Sequence, residues 1–204
     1  MKNLIFDMYG VILEESKGNF IPYTFGHFEK SEHARLIKQL KEEQIFTKAG
    51  NGEISSYEFL SMLGYDNPDY HMKNYIENHL TLDNGFITFA EKYYQVFDFA
   101  LLSNDVAEWS SHITKYYDLN KYFKHKIVSG EVKCRKPDRQ IYEIALQQIS
   151  YTASECIFVD NSVANLITAA ELGITPVLFN RDGENYDGLT VNTFEELEGL
   201  LKGL

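Results

Sequence analysis

The 204 residues, 44% of them hydrophobic, are enough to bury one substantial core, or one core with a small appended module, which excludes a miniature fold held together by disulfides or a metal. A formal net charge of −11, with no run of Lys and Arg interleaved with aromatics, argues against a nucleic-acid partner. Cys134 and Cys156 have no metal-site or disulfide-framework spacing, no window approaches the ~18 apolar residues of a membrane span, and the N-terminal apolar stretch is too short for a secretory signal, so the expected compartment is the cytoplasm.

In chain order, Leu4-Ile5-Phe6 is a short apolar run ending in Asp7, followed by Gly10 and a second apolar group, Val11-Ile12-Leu13. This reads as a buried parallel strand that terminates in a polar loop. Residues from about 14 to 80 contain no convincing strand run but do contain amphipathic stretches at 31–46 and 56–63, with a turn at 51–55 and Ser55 or Ser56 as a helix cap. From about residue 83 onward short apolar runs (97–102, 127–128, 156–159 and 175–179) alternate with segments of helical spacing (86–94, 107–117, 138–149 and 163–172), the last closed by Gly173. Such alternation predicts a doubly wound, Rossmann-like α/β fold, a parallel sheet with helices on both faces. The expected division is an α/β core at 1–13 and 82–204 and a small all-helical module at 14–81, placed above the carboxyl ends of the strands, where open α/β sheets bind ligands.

Residues at the carboxyl ends of parallel strands converge in space even when far apart in sequence. Four clusters occupy such positions: Asp7-Met8-Tyr9-Gly10, Ser103-Asn104-Asp105, Lys136-Pro137, and Asp160-Asn161-Ser162 with Asn165. Each also has a structural explanation. Asp7 could cap its own loop, Asn104 the following helix, and Asp160 with Ser162 the helix at 163–172, which would put Asn165 on its exposed side. Lys136-Pro137 could be a solvated loop entering a helix, and Tyr142, at helical spacing from Ala145 and Ile149, fits a core position.

Taken together in this order, the clusters resemble the four motifs of the haloacid dehalogenase (HAD) superfamily of hydrolases. Asp7 with Gly10-Val11 looks like the first motif, Leu102-Ser103-Asn104 like the second, Lys136-Pro137-Asp138 through Ile141-Tyr142 like the third, and Phe158 to Ser162 with Asn165 and Ala169 like the fourth. The helical segment after the first strand resembles the small cap of one branch of that superfamily. The resemblance implies that Asp7 is the nucleophile and forms a covalent aspartyl intermediate, that Ser103 with nearby N–H groups, including the Asn104 and Gly10 positions, holds the transferring group, and that Lys136 neutralises charge. In phosphatase members it further implies Mg²⁺, with Asp7, the main-chain carbonyl of Tyr9, and Asp160 or Asn161 as its oxygen ligands.

Two positions depart from the phosphatase pattern. Tyr9 stands where those enzymes carry a second Asp as general acid and base, and Asn161 stands where the fourth motif often has a second acid. A phenol, with a reference pKa of about 10, is a poor substitute for a carboxylic acid. Tyr9 resembles instead the metal-free 2-haloacid dehalogenases, which would use Asp7, Tyr9, Ser103, Lys136 and Tyr142. Val11, Asp160 and the absence of a matching insert arginine other than Arg35 count against that alternative. The expected activity is therefore hydrolysis of a small phosphorylated metabolite by a monomer or homodimer, with a metal-free dehalogenase and a catalytically weak binding or regulatory protein as alternatives.

Overall fold

The computed structural model describes residues 3–203, and the first element it shows is β1 (Asn3–Phe6), buried along its whole length. A strand covered on both faces has no polar side, and its residues divide between two cores: Leu4 and Phe6 pack into one, Ile5 into the other. β2 (Asp98–Ser103), β3 (Phe123–Val128), β4 (Cys156–Asp160), β5 (Thr175–Phe179) and β6 (Leu189–Val191) complete a parallel sheet ordered β3-β2-β1-β4-β5-β6. Phe6 is in register with Leu101 on one side and Val159 on the other. The direction of winding therefore reverses beside β1, and the crevice at the carboxyl end of β1 is where such a sheet accepts a ligand. The short β6 was not among the expected strands; two of its three residues are exposed, so it carries no apolar run.

Between β1 and the rest of the sheet lie α1 (Phe20–His27), α2 (His33–Ile37), α3 (Ile45–Gly50), α4 (Ser56–Leu63) and α5 (Pro68–His79). The chain enters and leaves this insert side by side: Leu13 bridges to Leu82, the Glu14 N–H donates to the Thr81 carbonyl at 2.9 Å, and the Asp83 N–H donates to the Ile12 carbonyl at 2.9 Å. α4 starts on a reciprocal capping box between Ser55 and Glu58, and α5 starts with Pro68 under an Asn67 cap. The single helix expected over 31–46 is broken. A 3₁₀ turn at Lys30–Glu32, a π turn at Lys38–Glu42 and a left-handed Gln44 (φ 53°) redirect the chain, and the redirection buries Ile45 completely.

Helices cover both faces of the sheet. α6 (Asn84–Tyr93), α7 (Ala107–Tyr116) and α11 (Phe194–Leu201) contribute Phe86, Trp109 and Phe194 to the Leu4 and Phe6 side. The short α8 (Ser129–Val132) follows β3, and α9 (Arg139–Ile149) and α10 (Val163–Glu171) cover the Ile5 side with Ile141, Tyr142 and Leu166. Gly173, at φ +85°, lies just beyond the end of α10, as a helix-stop glycine should. None of the described helices is long and apolar enough to cross a membrane.

Trp109 joins the insert to the core. Its ring centroid lies 5.0 Å from that of Phe20, 5.2 Å from Tyr75, 5.7 Å from Phe46 and 6.0 Å from Phe59, and its indole N–H donates to the Ser56 hydroxyl at 2.7 Å. Beside this cluster the backbones of Gly52 and Gly130 come so close that a Cβ on Gly52 would lie 2.1 Å from the Gly130 carbonyl oxygen. Trp109→Ala should cost about 4 kcal/mol of stability through the cavity it leaves. Ser56→Ala should cost about 1–2 kcal/mol by stranding a buried N–H. Urea denaturation measures both, and an unchanged Trp109→Ala midpoint would show that insert and sheet do not depend on this joint.

Candidate active site

Asp7 directly follows β1, and its N–H still donates to the Val159 carbonyl at 3.0 Å, so the sheet positions its backbone as if it were a strand residue. Its side chain meets Lys136, whose Nζ lies 2.7 Å from Asp7 Oδ1 and 2.7 Å from Asp160 Oδ2. Asp160 ends β4 and is fully buried; Asn165 Nδ2 donates to both its oxygens, at 3.1 and 3.0 Å, and the Ser162 N–H donates to Oδ1 at 2.8 Å. Asn165 therefore faces inward from α10 rather than outward, and neither Asp160 nor Ser162 caps that helix through a side chain–N3 bond. Asn104 is not a helix cap either, since Val106 holds that position before α7. Its amide forms a reciprocal pair with the backbone of Lys136, donating to the carbonyl and accepting from the N–H, both at 2.8 Å.

The charges follow from this enclosure. Burial pushes the Asp7 carboxyl up to about 6, against the pull of Lys136 and with an added push from Asp160. Burial also works against the Lys136 ammonium, but Asp160 and Asp7 outweigh it and hold its pKa above the ordinary lysine range. Next to them, burial drives the Asp105 carboxyl well above its usual range, although the Val106 N–H and the Tyr9 hydroxyl both donate to it. The Tyr9 phenol is pushed above 10 by burial and by Asp105.

The loop after Asp7 is clamped from behind. Arg181 Nε donates to the Gly10 carbonyl at 3.1 Å, its Nη2 donates to the Val11 carbonyl at 3.3 Å, and its guanidinium pairs with Asp83. Gly10 sits at φ +80°, and a Cβ there would lie 2.3 Å from the Asn161 amide nitrogen, so the loop can pack against β4's end only without a side chain.

A cavity of about 360 Å³ opens over these groups. Asp7, Tyr9, Asn104, Lys136 and Asn161 line it from the strand ends, and Lys17, Phe20, Phe46 and Tyr75 line it from the insert. Gly10 is not part of the wall; the structure gives it a steric role. Ser103 is fully buried at the end of β2 with its hydroxyl unpartnered, and it too lies outside the lining. Asp160 stands one layer back, behind Lys136. Tyr142 is fully buried and donates to the Asn165 carbonyl at 2.9 Å, which makes it a core residue.

Sequence reasoning gave no role to several wall residues: Asp105, Arg135, Asp182 and Glu184. Asp105 and Arg135 adjoin motif residues and could have been read from that adjacency. Asp182 and Glu184 lie in an aperiodic polar loop after β5, and only the strand order brings that loop beside Asn161, whose Nδ2 donates to Asp182 Oδ2 at 3.4 Å.

A HAD family enzyme of Bacteroides thetaiotaomicron, crystallised with magnesium and inorganic phosphate, superposes with a TM-score of 0.75 at 21% identity, covering 92% of this chain and 98% of that one. A HAD phosphatase from Thermococcus onnurineus gives 0.73 at 20% identity over 100% and 99% of the two chains. A dehalogenase gives 0.69 at 21% identity over 98% and 96%. A segment of 62 residues, 30% of this chain, is 37% identical to part of the drimenol cyclase drtB of Aspergillus calidoustus, and it spans 12% of that protein. At these identities the solved structures establish the fold alone. The family model of haloacid dehalogenase-like hydrolases matches residues 1–173, and the chain belongs to that family.

Proposed function

We propose that this hydrolase removes phosphate from a small phosphorylated metabolite, with Asp7 as the nucleophile. The observation that carries the reading is the buried Asp7–Lys136–Asp160 arrangement at the floor of the cavity. Asp160 holds the ammonium in place and supplies a counter-charge, so Lys136 can face both Asp7 and an incoming phosphate without being stranded as an unpaired buried cation. Asn104 fixes the backbone from which Lys136 extends. In this reading the segment at 14–81 acts as a cap that selects the substrate, and Ser103, buried behind the wall, contributes through the end of β2 that carries Asn104.

The donors present fit Mg²⁺. Asp7, the main-chain carbonyl of Tyr9 and the side-chain oxygen of Asn161 would be its oxygen ligands; all three residues line the cavity, and the Asn161 amide nitrogen is turned to Asp182. Asp160 is the weaker candidate of the fourth-motif pair, because both of its oxygens are already engaged. When bound, the ion would supply charge neutralisation between the phosphate and Asp7. The Bacteroides thetaiotaomicron enzyme crystallised with magnesium and inorganic phosphate supports this choice of metal.

Tyr9 favours a second reading, metal-free attack on a 2-haloacid. Against it, the insert's arginine does not line the cavity: Arg35 bonds Glu32, Gln39 and the Leu63 carbonyl. Purified protein offered phosphomonoesters and 2-haloacids, with and without Mg²⁺, should release phosphate in a metal-dependent way, and Asp7→Asn should lower the rate by on the order of 10³-fold or more. Phosphate release unchanged by Asp7→Asn would remove Asp7 as nucleophile, and metal-independent halide release would establish the second reading.

The pH dependence follows from the sign of the Asp7 shift. Only the carboxylate attacks, and its pKa lies at about 6, above the ordinary carboxyl range, so activity is present above that pH and is lost as pH falls through it. Because Lys136 pulls this value down, Lys136→Met should move the acid limb of kcat/KM upward, and raising Mg²⁺ from sub-saturating to saturating should move it downward. A limb unmoved by either would contradict the placement of these charges.

A further inference from the structure

Phosphoryl transfer to Asp7 releases an oxygen leaving group, and a phosphatase with a carboxylic acid beside its nucleophile hands that oxygen a proton. In this chain the corresponding residue is Tyr9, and its hydroxyl is turned to Asp105 Oδ1, 3.4 Å away. The other carboxyls of the cavity are placed no better to donate. Asp105 Oδ1 accepts from Tyr9 and from the Val106 N–H at 2.8 Å, and its Oδ2 is shut off from solvent without a partner. Asp182 accepts from Asn161, and Glu184 accepts from the Val163 N–H at 3.1 Å.

What the cavity offers a departing group instead is two cations besides Lys136, set among the carboxylates just named, and aromatic surface. Half-buried Arg135 and exposed Lys17 both line it, and neither makes an ion pair with a described acid. Tyr9 and Phe46, both partly exposed, form part of the same wall, with Phe20 and Tyr75 behind them.

We propose that the leaving group departs as an unprotonated anion, so that the enzyme acts on phosphates of acidic hydroxyls and acids (aryl, enol and acyl phosphates) in preference to those of ordinary alkyl hydroxyls. The proposal rests on the phosphatase reading above. In the first step a bond forms between an Asp7 oxygen and phosphorus, the bond from phosphorus to the leaving oxygen breaks, and the electron pair stays on that oxygen with no proton moved. In the second step water attacks phosphorus, restoring the Asp7 carboxylate and giving dihydrogen phosphate, which carries both of water's protons. Arg135 and Lys17 offset the anion's charge, and the aromatic wall accepts a flat group.

The test is a leaving-group series with Mg²⁺ present: acetyl phosphate, p-nitrophenyl phosphate, phenyl phosphate and glycerol phosphate, each also run with Asp7→Asn. A positioned general acid is worth on the order of 100-fold or more. The expected result is that kcat/KM falls by at least about that factor from p-nitrophenyl to glycerol phosphate, and that Tyr9→Asp raises the glycerol phosphate rate more than the p-nitrophenyl phosphate rate. Comparable, Asp7-dependent rates on aryl and alkyl phosphates would overturn the proposal while leaving the phosphatase reading intact, and Asp105→Asn would then show whether Asp105 is the hidden acid. No Asp7-dependent release from any of the four would overturn both.

Discussion

A buried ammonium between two carboxylates is the constraint on which the rest of this site depends. Lys136 is 3% exposed and sits 2.7 Å from both Asp7 and Asp160. Removing the ammonium would leave two buried carboxylates facing each other, and the cost of an uncompensated buried charge is several kcal/mol. The fold meets that cost by saturating Asp160 with Asn165 and the Ser162 N–H, and by pairing the Lys136 backbone with Asn104. Asp7 is the most exposed member of the three, and Asp160, not Asp7, takes most of the fixed hydrogen bonds, which suits the nucleophilic role proposed for Asp7.

The sheet makes the arrangement possible. β1 lies between β2 and β4, so residues 7, 104 and 160 emerge at neighbouring strand ends, and the loop after β3 brings Lys136 to them. Behind the Asp7 loop, Arg181 and the missing side chain of Gly10 fix its path. Above it, the insert docks through Trp109, and Ser129 links the Asp105 N–H at 3.0 Å to the Gly50 carbonyl at 2.5 Å. The insert is thus tied to the residues at the cavity's edge, so its packing and the shape of the site are coupled.

Much of this was legible in the sequence, and for identifiable reasons. The runs 4–6 and 156–159, and 97–102 beyond Asp98, have no polar face because both faces are covered, and that marks them as central parallel strands. Asp7 and Asp160 were legible because each terminates such a run. Other features depend on partners distant in sequence. Asn104 looks like a helix cap until Lys136 is placed beside it, and Asn165 looks like an exposed helix residue until Asp160 is. The break at 38–44 is invisible to helical periodicity, because the apolar spacing continues through it while the backbone changes axis. Asp182 and Glu184 acquire meaning only from the position of β5 beside β4.

The most direct measurement traps the covalent intermediate. Protein quenched rapidly during turnover of p-nitrophenyl phosphate with Mg²⁺, and then treated with borohydride, should yield homoserine at position 7 by peptide mass spectrometry, because borohydride reduces an acyl phosphate and leaves a free carboxylate untouched. The predicted result is conversion at residue 7 that depends on substrate. Turnover without any modified Asp7, or with the label on another carboxylate, would contradict the central role given to this residue.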